Sequence, residues 1–394
     1  MTQNLSTRES TREISREARF ALTLSRRVMS DTQVRHAREL VALGIDWSRV
    51  YLLAVKNNVV PLLLANLAEF LPETPREIVE LFVRETQRIR LRAMLLYTQL
   101  RVVLKDVLWP KSIPFALVKG IGLSRRHYGD PFARHCQDVD LLVHPDRVGD
   151  VAEDLIAQGW AVGNASWAGQ PLGTFARYAS VVEMVSPEGV RIELHRMLDN
   201  SGLIFDSKQL LNHLDWLEIF GKELPVLNAR DEFVYVCFHH TRHGWSCLHW
   251  CADLPAMMAA PDFQESILKP ALQIPLMRNT VAACVLLAAN LHDIASGVDI
   301  RSIEHCSPLL DRCLRGIDQS SKAAEELMFG DASEIEPDFP FAWQRSLAYR
   351  LRFAISRARP NLNDFNAMPL RDSLQWVYWL TRPWRAVLRR LDIG

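Results

Sequence analysis

Asp138-Val139-Asp140-Leu141-Leu142-Val143 alternates acidic and aliphatic side chains before it ends in an apolar run. Successive side chains of a strand point to opposite faces, so this spacing sets Asp138 and Asp140 on one face and Val139, Leu141 and Val143 on the other, where they can be buried. The stretch therefore predicts a packed strand with two carboxylates converging at a sheet edge. Like charges so placed repel unless a cation lies between them, and adjacent hard oxygen ligands suit Mg²⁺ carrying a nucleoside triphosphate. Taken alone, Asp-x-Asp is a frequent pattern whose plain reading is a loop-ending Asp followed by an exposed one.

The surroundings sharpen that reading. Upstream, Val118-Lys119-Gly120-Ile121-Gly122-Leu123-Ser124 reads as a strand, Ile113 to Val118, running into a helix start, where flexible glycine and backbone N–H groups readily hold phosphate oxygens. Downstream, the β-rich runs Tyr178 to Val185 and Val190 to His195 flank Ser186-Pro187-Glu188-Gly189 and read as a hairpin. In its second strand Arg191, Glu193 and His195 share one face, Ile192 and Leu194 the other. Glu193 is thus a third carboxylate, with Glu183 on the first hairpin strand as its rival. Three carboxylates on neighbouring strands can bind two metal ions, one activating an attacking hydroxyl and one steadying a triphosphate and its leaving pyrophosphate.

The order Lys119-Gly120, Tyr128-Gly129-Asp130-Pro131, Arg134, Asp138-Val139-Asp140-Leu141-Leu142-Val143 and Ile192-Glu193-Leu194-His195 resembles the polymerase-β-like nucleotidyltransferase superfamily. More closely, it is similar to an uncharacterised bacterial nucleotidyltransferase-like family. Trp47 to Leu67 and His239 to Asp253 resemble that family's helical segments, so the likeness covers most of residues 45 to 255. The resemblance implies that Asp138, Asp140 and Glu193 bind a pair of Mg²⁺ ions and carry catalysis. It also implies that Lys119, Gly120, Gly122, Ser124 and Arg134 bind the nucleotide, and that ATP is the expected donor. The superfamily's usual Gly-Ser pair is Lys119-Gly120 here. His195 is expected to support a metal ligand, and His239, His243 and Asp253 to face the cleft.

The remaining chain frames this core. Residues 1–110 carry apolar residues at helical spacing and read as a helical N-terminal lobe. Residues 111–205 form the α/β core, 206–325 a helical region closing the cleft, and 326–394 an acidic, Pro-containing linker with basic C-terminal helices. The expected fold class is α+β, predominantly helical, with a small mixed-sheet nucleotidyltransferase core between helical N- and C-terminal regions. His239, His243, Cys247 and Cys251 stand at i, i+4 spacing, but Cys-x₃-Cys on a helix is a weak zinc signal, and packed helices are the preferred reading.

Forty-six basic residues balance 46 acidic ones, which disfavours a polynucleotide partner because such binding needs surplus cations. Trp376, Trp379 and Trp384 interleave with Arg382, Arg385, Arg389 and Arg390. Solvated helix faces explain this most simply, with weak membrane-surface contact as the sharper alternative. The seven cysteines follow no disulfide framework, Met1 to Arg27 lacks the apolar core of a signal peptide, and no apolar run approaches the length of a membrane span. The expectation is a cytoplasmic enzyme that moves a nucleoside monophosphate from an NTP to an acceptor that is a small molecule, carbohydrate, peptide or protein. A non-catalytic nucleotide-binding or scaffold module of the same fold is the alternative.

Overall fold

The computed structural model describes residues 15–167, 169–199, 202–243, 245, 247–292, 294, 297, 347, 350–351, 355 and 360–382. The chain forms two compact units, each assembled from separated segments: a helical unit within residues 1–93, 123–136 and 229–343, and a sheet unit within 94–122, 137–228 and 344–394.

The first helices are α1 (Arg16–Leu24), α2 (Asp31–Ala42), α3 (Trp47–Lys56), α4 (Val60–Leu67) and α5 (Arg76–Val103). Their starts are written locally. Ser30 and Gln33 close a capping box on α2, Asp46 accepts from the Arg49 N–H at α3, and Pro61 stands in the first turn of α4, where its missing N–H costs nothing. Phe20 of α1 packs edge-on against Trp47 and Phe70, and Val50, Leu53 and Ala54 turn inward as their spacing predicts.

The sheet unit holds β1 (Phe115–Leu117), α6 (Gly120–Tyr128, of which Gly120–Gly122 belong here), β2 (Val139–Val143), α7 (Val148–Ala157), β3 (Ala161–Val162), α8 (Leu172–Tyr178), β4 (Val181–Val185), β5 (Arg191–His195), α9 (Ser207–Leu211), β6 (Leu214–Ile219) and β7 (Lys222–Leu227). The strands make one seven-stranded mixed sheet in the order β3-β4-β5-β2-β1-β7-β6. β2 runs parallel to β5 and antiparallel to β1, while β1 runs parallel to β7. Val182, Met184, Ile192, Leu194, Val139 and Leu141 are buried. α7 packs Val148, Val151, Ala152 and Leu155 inward against α8 and strands β3, β4 and β5.

Two expectations are corrected here. Residues 172–178 form α8, so the first hairpin strand begins at Val181 rather than Tyr178: Phe175 and Ala176 are buried on a helix, and Tyr178 meets Gln375 through its hydroxyl at 2.7 Å. Leu214–Leu227, expected to be helical, is instead the β6–β7 hairpin. Phe220 and Gly221, both at positive φ, form its two-residue turn. The fold is α+β, helical for the most part, and the sheet has three strands, β3, β6 and β7, beyond the four read from the sequence.

The helical unit continues with α10 (Ala229–Arg242), α11 (Leu248–Met258), α12 (Lys269–Leu272) and α13 (Arg278–His292). The near-continuous apolar run Val281 to Ala288 is buried, as expected of a helix packed on several sides by α10, α11 and α12. Pro255 lies inside α11 and removes the N–H that would bond the Cys251 carbonyl one turn earlier. His292 lies 3.0 Å from that carbonyl through Nε2, whose N–H takes the missing donor's place. The acidic linker Glu325–Pro340, Trp384 and Arg385, Arg389 and Arg390 lie outside the described residues. Trp376 and Trp379 are exposed, and Arg382 is paired with the buried Asp364 at 3.3 Å.

Candidate functional site

The parallel pairing of β2 with β5 places Asp140 directly beside Glu193, and the antiparallel pairing of β5 with β4 places Glu193 beside Glu183. One face of three adjacent strands thus carries a row of carboxylates. Asp140 is buried, whereas the Glu193 side chain retains 27% of its exposure. Asp138 precedes β2 by one residue and is half-buried. Glu183 is taken by Arg191 at 3.1 Å.

Lys119 and His195 turn toward Asp140. Lys119, two residues past the end of β1, brings Nζ to 3.1 Å from Asp140 Oδ1, and His195 brings Nε2 to 2.8 Å from the same oxygen and to 3.2 Å from Glu193 Oε2. Burial opposes ionisation of Asp140, but the Lys119 charge and the His195 bond hold its carboxyl well below the ordinary range. Burial likewise opposes a charged His195, and the bonds to Asp140 and Glu193 outweigh it, so the imidazole titrates higher than usual. Asp138 goes the other way: burial, with the Asp140 and Glu193 charges nearby, pushes it up to about 6. Neighbouring carboxyls driven apart in this manner mark a site where positive charge is wanted.

Asp140, Glu193 and His195 each offer a ligand atom, all within 4.8 Å of one another, and they are the one such group of three among the described residues. The donor set fits a divalent cation: two carboxylates face one imidazole nitrogen, and an ammonium already supplies part of the charge such an ion would bring. Gly120 opens α6 at φ 57°, a left-handed conformation that glycine adopts without strain. A Cβ on Gly122 would stand 3.3 Å from Val226 and 3.5 Å from Leu117, so that glycine lets α6 lie close on the sheet.

The other expected site residues lie in the helical unit. Ser124 is buried, donating to the Asp130 carbonyl at 2.7 Å and accepting the Arg134 N–H at 3.1 Å. Arg134 is buried with a two-pronged grip on Asp253, Nε to Oδ1 at 2.8 Å and the second nitrogen to Oδ2 at 2.9 Å. Asp253 has no exposed surface and also receives Tyr128 and His240, each at 3.2 Å. Burial raises its pKa, but Arg134 and His240 hold it well below the usual range. Asp253, expected to face a cleft, is thus the centre of a buried network.

His239 and His243 are partly exposed and meet each other at a tilt, and Trp250 lies edge-on to His239 and tilted to His243. Cys247 contacts the Asn57 carbonyl at 3.2 Å and His249 at 2.9 Å, while burial pushes its thiol up to about 12.

The sequence matches the family described as an uncharacterised nucleotidyltransferase over residues 44–292, more than half of the chain. The chain belongs to this family. No curated protein matches it. For a member of this nucleotidyltransferase family the general role is nucleotidyl transfer and the enzyme class a transferase, with a nucleoside triphosphate and a divalent metal ion as the general requirements. The family match contains the whole carboxylate row and the Lys119-Gly120 turn as well as the Arg134–Asp253 network. No described helix is long and apolar enough to cross a membrane.

Sequence reasoning missed Lys119 as the partner of Asp140, along with Tyr128 and His240 in the Asp253 network. A signal for the first was present, because a lysine ending one strand beside an Asp-x-Asp strand can reach it if the two pair.

Proposed function

We propose that the protein is a metal-dependent nucleotidyltransferase that transfers NMP from an NTP, with ATP as the expected donor and Mg²⁺ as the ion that accompanies it, to an acceptor hydroxyl. The observation that carries this reading is the pairing of Asp140 with Glu193 on adjacent parallel strands, within reach of Asp138 and Lys119, in a chain of this family. The bound metal would lower the charge barrier by binding phosphate oxygens and favouring the deprotonated acceptor.

Asp138, Asp140 and Glu193 hold that charge in place. Lys119, with the first N–H groups of α6, binds the triphosphate once Asp140 has another partner. The acceptor oxygen forms a bond to the α-phosphorus as the bond from that phosphorus to the bridging oxygen breaks. Pyrophosphate leaves with the bridging electrons, and the hydroxyl proton passes to Glu193, the more open of the two paired carboxylates. Arg134 and Ser124 act from inside the helical unit, holding the 130–136 loop by the bonds described above. The acceptor is a small molecule, carbohydrate, peptide or protein rather than a polynucleotide, given the zero net charge.

Thermal-shift titration of ATP, GTP, CTP and UTP, with and without Mg²⁺, tests the proposal. One nucleotide should raise the melting temperature only with metal, because ligands of the native state stabilise it by mass action. The shift should be lost in Asp138→Asn. Absence of a shift with every nucleotide would favour a scaffold module.

A further inference from the structure

His195 offers the carboxylate row a donor of different chemistry. Its Nε2 lies between Asp140 Oδ1 and Glu193 Oε2, at 2.8 and 3.2 Å, and the strand register fixes all three: Asp140 pairs with Glu193, and His195 follows Glu193 by two residues on the same face. A single nitrogen aimed at two carboxylate oxygens puts its hydrogen where two anions call for positive charge. Ligand atoms sharing an octahedral shell at ~2.1 Å stand roughly 3 Å apart, close to the separations found here. A metal ion in place of that hydrogen therefore needs little movement of the three side chains.

We propose that His195 is a direct metal ligand through Nε2, which makes this a mixed nitrogen and oxygen position that takes Mn²⁺ in preference to Mg²⁺. The inference rests on the metal-dependent reading above and deepens it by distinguishing two ions. Mg²⁺ keeps oxygen ligands and water and travels with nucleotide phosphates, so it suits the phosphate side near Asp138. Imidazole adds little for Mg²⁺ but favours first-row transition ions, whose affinities also rise along the series that begins at Mn²⁺. Lys119 pairs with Asp140 until an ion arrives and is then displaced toward phosphate.

The test uses the full chain without a histidine tag, stripped by chelator and titrated with Mn²⁺ and separately with Mg²⁺ in the absence of nucleotide. Mn²⁺ should bind tighter than Mg²⁺ by about an order of magnitude. Pulsed electron paramagnetic resonance of the bound Mn²⁺ should show nitrogen modulation that changes frequency in protein made with isotope-labelled histidine and disappears in His195→Gln. The wild-type spectrum decides the matter even if that variant folds poorly. Bound Mn²⁺ with no nitrogen modulation, modulation that persists in a folded His195→Gln protein, or equal affinity for the two ions would each overturn the assignment. An ATP arm on the same samples keeps the two readings apart: absence of the nucleotide shift speaks against nucleotidyl transfer, whereas the nitrogen signal and the ion preference, read without nucleotide, decide the ligand.

Discussion

Asp138 and Asp140 are two residues apart and share a charge, yet their surroundings demand opposite outcomes from the same substitution. Asp138 is half-buried and is pushed up by Asp140 and Glu193, so Asp138→Asn removes repulsion and should raise the stability of metal-free protein by about 1–2 kcal/mol at neutral pH while abolishing Mg²⁺-dependent nucleotide binding. Asp140 is the shared partner of Lys119 and His195, and Asp140→Asn would leave the half-buried Lys119 ammonium and the buried His195 imidazole with less compensation, at a cost of about 3 kcal/mol. Urea unfolding of both variants in the presence of chelator checks the split. Equal shifts, or a stabilised Asp140→Asn, would mean that the pairing with Lys119 is not holding the site together. The alternation around Asp140 made its face legible in the sequence, and so did the position of Glu193. The Lys119 contact had a signal in the sequence but was legible only if β1 lies beside β2, and strand order is a long-range property.

Elements differ in how much of their cause is local. The run at β2 was legible because acidic and aliphatic side chains alternate from Asp138 to Leu141 before an apolar end, and α13 because its apolar run was unbroken. The β6–β7 hairpin was hidden: Pro225 interrupts the pattern, and its turn is Phe220-Gly221, where only the glycine carries the usual signal for positive φ. α11 shows a local defect corrected from a distance, since Pro255 has no N–H to give the Cys251 carbonyl and His292 on α13 supplies one. His292→Leu should therefore destabilise the helical unit by about 1–3 kcal/mol, the range for a buried acceptor left unmade. In a Pro255→Ala background the helix regains its own N–H donor, so His292→Leu should cost less there than in the wild type. A double-mutant cycle by urea unfolding measures the difference, and additive losses would remove the compensation.

At the scale of the whole molecule, equal numbers of acidic and basic residues give no formal net charge at neutral pH, and the response to acid falls to particular groups. Three histidines of the helical unit are kept neutral. Burial drives His292 down to about 3 and His135, with Arg134 beside it, down to about 4, and it lowers His249 well below the usual range. Nδ1 of both His292 and His135 is buried without a partner, so a proton added there would gain no bond. Each histidine titrates near 6.5 once the chain unfolds, so between that value and the folded one the unfolded state binds more protons. Their contribution is complete above about pH 6.5 and is lost as the pH falls. With three groups acting together the slope approaches ~4 kcal/mol per pH unit. The depressed Asp253 adds its own loss only below the ordinary carboxylate range, outside this window. Tryptophan fluorescence during urea unfolding, with Trp245 and Trp250 in this unit, should show a midpoint that drops from pH 6.5 to 5, with the raised Asp138 and His195 of the sheet unit acting in the opposite direction. In His292→Gln, which retains a donor for the Cys251 carbonyl but does not titrate, the drop should be shallower by about one third. A midpoint that does not move between pH 7 and 5 would mean that these imidazoles are hydrated or already charged in the folded protein.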